Sequence, residues 1–273
     1  MSLTDRTGSD PYSGTWKKPP FIRNPMLRWL LWLGFALYLA AALGTMDVNW
    51  ARVAEGIPRG QRFVLSFFPP DFLSRWDSIV EGVLESIWMA IISTVAGIAL
   101  SIPVGLGAAR NLAPPWIYYS CRAIIAISRT FPEVILAIFA VKLFGFGPFA
   151  GFLALSIATI GFYGKLLAED IEDMNPAPAE AVKATGAGWF QWINYAVQPQ
   201  VAPRMIGLAM YRLDINFRES AVVGIVGGGG IGATLLTSFD RYEFQTAAAI
   251  LLVIIGIVMA LEYASGYLRR WVQ

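Results

Sequence analysis

The chain has 273 residues, of which 56% are hydrophobic and only 15% charged, and its net charge is +2. A soluble domain carries about 25% charged residues, so the deficit points to lipid as solvent, while the near balance of charge excludes a strongly basic nucleic-acid binder. With no histidine and one cysteine, Cys121, a metalloenzyme, a Ser-His-Asp hydrolase and a disulfide scaffold all lack their usual side chains.

The first 25 residues are polar, without the apolar core of a secretory signal peptide. Residues 1–28 therefore read as a tail, and the apolar run at 29–46 as a first transmembrane helix that is retained. A loop at 47–83, of mixed charge and rich in Trp and Phe, follows; it suits an outer segment lying partly on the membrane surface. Further apolar runs cover 85–109, 116–146 (broken near Pro132), 149–168, 201 to about 226, and 244–268. Runs of this length in lipid must be helical, because only a helix satisfies its own backbone hydrogen bonds there. The expectation is an all-α membrane protein with six transmembrane helices.

Six spans put both termini on one side. With that side cytoplasmic, the inner segments hold Arg6, Lys17, Lys18, Arg23, Arg28, Arg110, Lys165, Lys183, Arg204, Arg269 and Arg270. The outer segments hold Arg52, Arg59, Arg62, Arg75 and Arg241. The excess favours cytoplasmic termini, although the 47–83 loop is basic for an outer one.

Charges remain at apparent membrane depth: Arg122, Arg129, Lys142, Arg212 and Arg218, with Glu133, Asp214 and Glu219. Each costs roughly 2.5–3.5 kcal/mol at a helix centre on insertion scales, so such residues face a protein interior or a watery path. Arg129 and Glu133 flank Pro132 at an i,i+4 spacing and can pair across a turn, while Pro132 is expected to break the helix. Asp214 and Arg218 are also i,i+4, and Arg212 and Glu219, seven apart, share a face. Two readings stand: the pairs neutralise one another and fix packing, or an arginine lends positive potential to a watery path. The glycines at 227–230 and Gly232 offer either tight helix contact or a helix break. A dinucleotide fingerprint is excluded there, since no strand precedes it.

Between the fourth and fifth spans, residues 169–199 are polar. The segment turns at Pro176 and Pro178, and a short helix is expected at 179–185. Gly186 and Gly188 come next, then a second piece exposing Trp189, Phe190, Trp192 and Ile193 and stopped at Pro199. A helix–glycine–helix elbow with aromatics is a docking surface.

Glu180-Ala181-Val182, Gly186 and Ala196-Val197-Gln198-Pro199 resemble the EAA loop of ABC importer permeases, with Val182 in place of the second Ala and Ala196-x-Gln198-Pro199 in place of Ile-x-Leu-Pro. SRTFPEVILAIF, from Ser128, and YRLDINFRESAVVGIVGGGGIG, from Tyr211, resemble the phosphonate ABC transporter permease family, over roughly residues 80 to 270. That resemblance implies a type I importer core of five helices over 84–270, preceded by one N-terminal helix, with the coupling loop at about 169–199. It implies a bacterial inner-membrane protein working with a second copy of itself, two ATP-binding cassette ATPase subunits and a periplasmic substrate-binding protein. Glu180, Ala181 and Gly186 become the ATPase-coupling residues. Arg129, Glu133, Arg212, Asp214, Arg218, Glu219, Gly228 and Gly229 become the translocation path or gate. No phosphate loop of the form G-x-x-x-x-G-K-[ST] occurs, so ATP and Mg belong to the partner and no cofactor or metal is expected here. The implied cargo is phosphonate, phosphite or hypophosphite. Alternatives are a same-fold importer of phosphate or methionine, an ion-coupled secondary carrier, and an intramembrane enzyme.

Overall fold

The computed structural model describes residues 22, 24–46 and 49–272, with side chains up to residue 267. Most of the expected tail, with Arg6, Lys17, Lys18 and Arg23, lies outside the described residues, as do the side chains of Arg269 and Arg270. Every regular element among the described residues is helical.

Two units divide the chain, Met1–Gly60 and Gln61–Gln273. In the first, helix α1 (Pro25–Thr45) starts where Asn24 Oδ1 accepts from the Met26 amide at 3.1 Å, with Pro25 in its first turn. No residue of α1 is buried. Helix α2 (Trp50–Leu65) crosses the division and occupies much of the segment expected as a loop.

In the second unit, α3 (Trp76–Gly107) begins nine residues before the apolar run expected at 85. Asp77 in its first turn suits the helix dipole, and Ile79 packs with Ile231, Leu235, Ala247 and Ile250 rather than with lipid. Ser93, Gly97, Ser101 and Gly105 follow at every fourth position and are all buried. They form a flat stripe against α6 (Pro148–Glu172). A Cβ on Gly97 would lie 3.1 Å from the Ser156 carbonyl oxygen, and one on Gly105 3.1 Å from that of Gly164. The two backbones therefore touch, as small residues allow in membrane helix pairs.

Between these two helices the chain forms α4 (Pro115–Thr130) and α5 (Glu133–Phe144), bent by 90° at the break. Pro132 causes this break: its ring forces Phe131 into extended backbone, φ −99° and ψ 126°. Beyond α6 come α7 (Pro176–Ala184) and α8 (Trp189–Trp192), then a π-turn at Ile193–Val197 leading directly into α9 (Gln198–Val223). Pro199 does not stop the second piece as expected. It sits in the first turn of α9, where a missing N–H is tolerated. A second π-turn (Gly224–Gly228) leads to α10 (Gly230–Asp240), bent by 56° from the helix before it, and α11 (Phe244–Val272) ends the chain. Among the described residues, four helices are long and apolar enough to cross a membrane, or up to six spans when each bent pair counts as one.

Candidate functional site: a hairpin, a buried polar cluster and a glycine break

The polar segment between α6 and α9 is a compact hairpin. Trp192 is 4% exposed, and its Nε1 donates to the Ala179 carbonyl at 3.0 Å. Lys183 Nζ lies 4.0 Å from the Trp192 ring centroid. The Asn175 amide donates to Gln200 Oε1 at 3.1 Å, tying the start of α7 to α9. Trp192 was expected among the exposed aromatics; instead it is the hairpin's core, while Trp189 and Phe190 remain exposed. Glu180 and Ala181 face outward on α7. Gly186 has φ +80°, and its amide donates to the Lys183 carbonyl at 3.0 Å, so it ends α7 in the left-handed conformation glycine favours.

Two acids in the last turn of α6 fasten this hairpin to the helix bundle. Asp170, 7% exposed, holds Arg204 of α9 at 2.7 Å, and its other oxygen is buried without a hydrogen-bond partner. Glu172 accepts from Arg122 Nη2 at 2.9 Å and from the Arg110 amide at 2.8 Å. Arg122 Nε also donates to the Ala108 carbonyl at 2.9 Å. Arg122 therefore lies beside the ends of α3 and α6, not at mid-span as its position in an apolar run indicated.

Farther along the bundle, α3, α5, α6 and α9 meet at a buried polar cluster. Arg212 is 2% exposed. Its Nε donates to Thr159 Oγ1 at 3.0 Å, its guanidinium carbon lies 5.3 Å from the Phe162 ring centroid, and Nη2 is 3.8 Å from Glu133 Oε1. That nitrogen makes an ion pair but no hydrogen bond. Asn216, fully buried one turn on, donates to Thr94 Oγ1 at 2.7 Å and Thr159 Oγ1 at 3.1 Å. Glu219 lies within Coulombic reach of both Arg212 and Glu133. The cluster joins residues 212, 216 and 219 on one helical face to a carboxylate at the Pro132 break.

The expected Arg129–Glu133 pair does not form. The 90° bend separates the two turns, Arg129 is exposed, and Glu133 turns to Arg212 instead. Arg218 does pair with Asp214, as the i,i+4 spacing indicated, with Asp214 buried and Arg218 half exposed. Sequence reasoning missed Asn216, Thr159 and Thr94. Asn216 was visible as a polar residue four after Arg212 in the same span, whereas the two threonines gave no signal among the other small residues.

Beyond this cluster, Gly227, Gly229 and Gly230 have φ of +99°, +77° and +73°. These values break the span and bend the chain by 56° into α10. Glu85 Oε2 accepts from the Gly230 amide at 2.6 Å, and Ser86 Oγ from the Ile231 amide at 2.9 Å. The start of α10 is thus capped from α3, a role for Glu85 that its place at the edge of an apolar run did not reveal. Gly228 packs against Gly151 of α6. Gly228 and Gly229 therefore sit in a tightly packed turn between helices.

Next to the α10–α11 junction, the 66–78 segment and residues 242–246 line a polar cleft of about 680 Å³. Arg75 bonds both Glu243 oxygens, at 2.5 and 2.8 Å, and this holds the Glu243 carboxyl below its usual range. The Ser74 hydroxyl, followed by the Ser74 and Leu73 amides, lowers Asp71 in the same way. Among the described residues no group of three or more His, Cys, Asp or Glu side chains could hold a metal ion.

Comparison with known proteins agrees with this architecture. The phosphate-import permease protein PhnE of Mycolicibacterium smegmatis is 42% identical over 202 residues, which cover 74% of this chain but 38% of that protein's length. The phosphite transport system permease protein PtxC of Stutzerimonas stutzeri is 37% identical over 238 residues, 87% of this chain and 86% of that one. Among solved structures, an inward-facing MetNI methionine ABC transporter matches with a TM-score of 0.64 at 23% identity, covering 71% of this chain and 96% of the matched chain. It supports the importer-permease core fold. Residues 101–273 match the family described as binding-protein-dependent transport system inner membrane component. The chain belongs to that family: it is a membrane permease subunit of an ABC importer, not an enzyme, and ATP hydrolysis resides on a separate chain.

Proposed function

We propose that this permease carries a small tetrahedral phosphorus oxyanion, phosphonate or phosphite before phosphate, through a path built on α5, α9 and the glycine break. The relatives' names support this cargo class, since they act on phosphate and on phosphite. The observation that carries the reading is the buried Arg212 guanidinium, which keeps one nitrogen short of a hydrogen bond beside Glu133 at the α4–α5 break. Arginine's planar fork bonds two oxygens of a phosphorus oxyanion at once. Glu133, Glu219 and Asp214 offset the arginines, which keeps anion binding weak enough for release. Arg129 and Arg218, both exposed in the single chain, stand nearest to a watery path, with Gly228 and Gly229 as the turn that repositions α10.

In this reading the chain pairs with a second copy, two ATPase subunits bearing ATP and Mg, and a periplasmic binding protein. It sits in the bacterial inner membrane with cytoplasmic termini, and Glu180, Ala181 and Gly186 contact the ATPase. The family assignment removes the secondary-carrier and intramembrane-enzyme alternatives. The test is ATP-dependent uptake by the reconstituted complex of labelled phosphonate, phosphite, phosphate and methionine. Uptake of phosphorus oxyanions that falls in Arg129→Gln and Arg218→Gln with the complex intact supports the reading. Uptake of methionine alone, or unchanged oxyanion uptake in both variants, overturns it.

A further inference from the structure

Helix α2 has a division of faces that neither the path nor the hairpin uses. At about 100° per residue, Trp50, Val53, Ala54, Ile57, Val64 and Leu65 fall within one arc of about 120°, in which Gln61 is the one polar side chain. Arg52, Glu55, Arg59 and Arg62 fall within about 80° on the opposite side. The apolar arc is uncovered: Trp50 is 74%, Ile57 61% and Leu65 67% exposed. Phe63, on the polar side of the wheel, meets Phe67 and Phe244 edge-on with ring centroids 5.1 and 5.2 Å away. These rings anchor the C-terminal end of the helix, on the side away from the apolar residues Val64 and Leu65.

Connectivity says what surface this arc meets. Helix α1, a candidate span with no buried residue, ends at Thr45, and α2 begins at Trp50. At up to about 3.6 Å per residue, that tether holds the start of α2 within roughly 18 Å of the end of a membrane helix. A segregated helix that cannot leave the bilayer surface lowers its free energy by lying flat, with apolar side chains among acyl chains and arginines reaching the phosphates. The charged arc carries three arginines against one glutamate, so it favours anionic headgroups over zwitterionic ones.

We infer that α2 is an interfacial helix that binds the surface of an anionic lipid bilayer, such as one containing phosphatidylglycerol, through its 50–65 apolar arc and arginine face. The inference stands apart from the choice of transported solute. The test uses the whole transporter complex, with Cys121→Ala in the permease and single spin labels at 52, 53, 55, 57, 59 and 64. Accessibility to oxygen and to a nickel chelate is read in vesicles of phosphatidylethanolamine with phosphatidylglycerol, and in vesicles of phosphatidylcholine alone. The oxygen-to-nickel ratio is expected to be several-fold higher at 53, 57 and 64 than at 52, 55 and 59. Motion of the labels at 55 and 59 should be slower in the anionic vesicles, and Arg52→Glu should abolish that difference. High nickel access at 53, 57 and 64 places the helix off the membrane and overturns the inference. Protection of those sites from both reagents assigns the arc to a protein, a second copy or the binding protein, and overturns it equally. The same profile and label motion in both lipids removes the anionic-headgroup preference.

Discussion

Nη2 of Arg212 on α9 lies 3.8 Å from the carboxylate of Glu133, the first residue of α5 after the Pro132 break. This contact ties the bent fourth-to-fifth helix pair to the helix that enters the glycine turn, through a charge buried among four helices. Losing one member of a buried pair costs about 3–5 kcal/mol, because the other charge is left uncompensated. Arg212→Met leaves Glu133 and Glu219 facing each other without a cation, so it should lower the thermal unfolding midpoint in detergent strongly and abolish uptake. Glu133→Gln should be milder, since Glu219 still faces Arg212. Equal midpoints for the two variants would contradict this ordering.

The Asp170–Arg204 clasp predicts a different asymmetry. Asp170 is buried with one oxygen already unpartnered, whereas Arg204 is 63% exposed at its side chain. Arg204→Gln should therefore cost about 1–3 kcal/mol and Asp170→Asn less. Because the clasp joins the two stems of the hairpin, both variants should keep the ATPase bound and hydrolysing while transported solute per ATP falls. Parallel measurement of hydrolysis and uptake checks this, and an unchanged ratio in both variants speaks against the clasp as a transmission point.

Glycine substitutions separate packing from backbone strain. A Cβ on Gly151 would sit 2.6 Å from the Gly228 carbonyl and against Met89 Sδ, so Gly151→Ala should destabilise by about 1–3 kcal/mol. Gly229→Ala meets Pro148 N at 2.8 Å and must hold φ +77° with ψ −169°, a region almost confined to glycine. Both should lower the unfolding midpoint and the uptake together. Gly186 has φ +80° but open space around it, so Gly186→Asn should retain ATPase binding. A midpoint for Gly151→Ala equal to that of the parent protein would count against the close α6–turn contact.

At the opposite end of α3, Arg75 depresses the Glu243 carboxyl. A depressed acid contributes stability that is fully present above its unfolded pKa and lost as pH falls through the folded value. Hydrogen exchange in residues 66–76 and 242–246 should accelerate on acidification below the ordinary carboxylate range. Glu243→Gln should show that fast exchange already at neutral pH. Because the pair is partly exposed, the effect should be local and should weaken in high salt.

The six-span layout was legible because apolar run length and the bilayer thickness share one scale, and the break at Pro132 because proline constrains both itself and Phe131. The i,i+4 pair Asp214–Arg218 was legible for the same local reason. Long-range partners were not. Glu133 left Arg129 for Arg212, 79 positions away, because the bend that proline imposes carries one side chain away from the other. Trp192 looked like a docking aromatic since hydropathy cannot tell an aromatic facing a partner from one packed under its own hairpin. Thr94 and Thr159 are indistinguishable by composition from small packing residues until α9 is laid across them. Helix α2 was hidden in a segment whose mean hydropathy is low because its two faces cancel.

The central claim, that this permease is driven through its 169–199 hairpin by a separate ATPase, is tested most directly by co-purification of the ATPase subunit with the parent chain, Gly186→Pro and Glu180→Arg. Gly186→Pro removes the amide that bonds the Lys183 carbonyl and cannot adopt φ +80°, while Glu180→Arg reverses the outward charge of α7. The account predicts that the ATPase accompanies the parent chain and is lost from both variants while the permease stays folded in detergent. Absence of the ATPase from the parent chain, or its full retention by both variants, would contradict it.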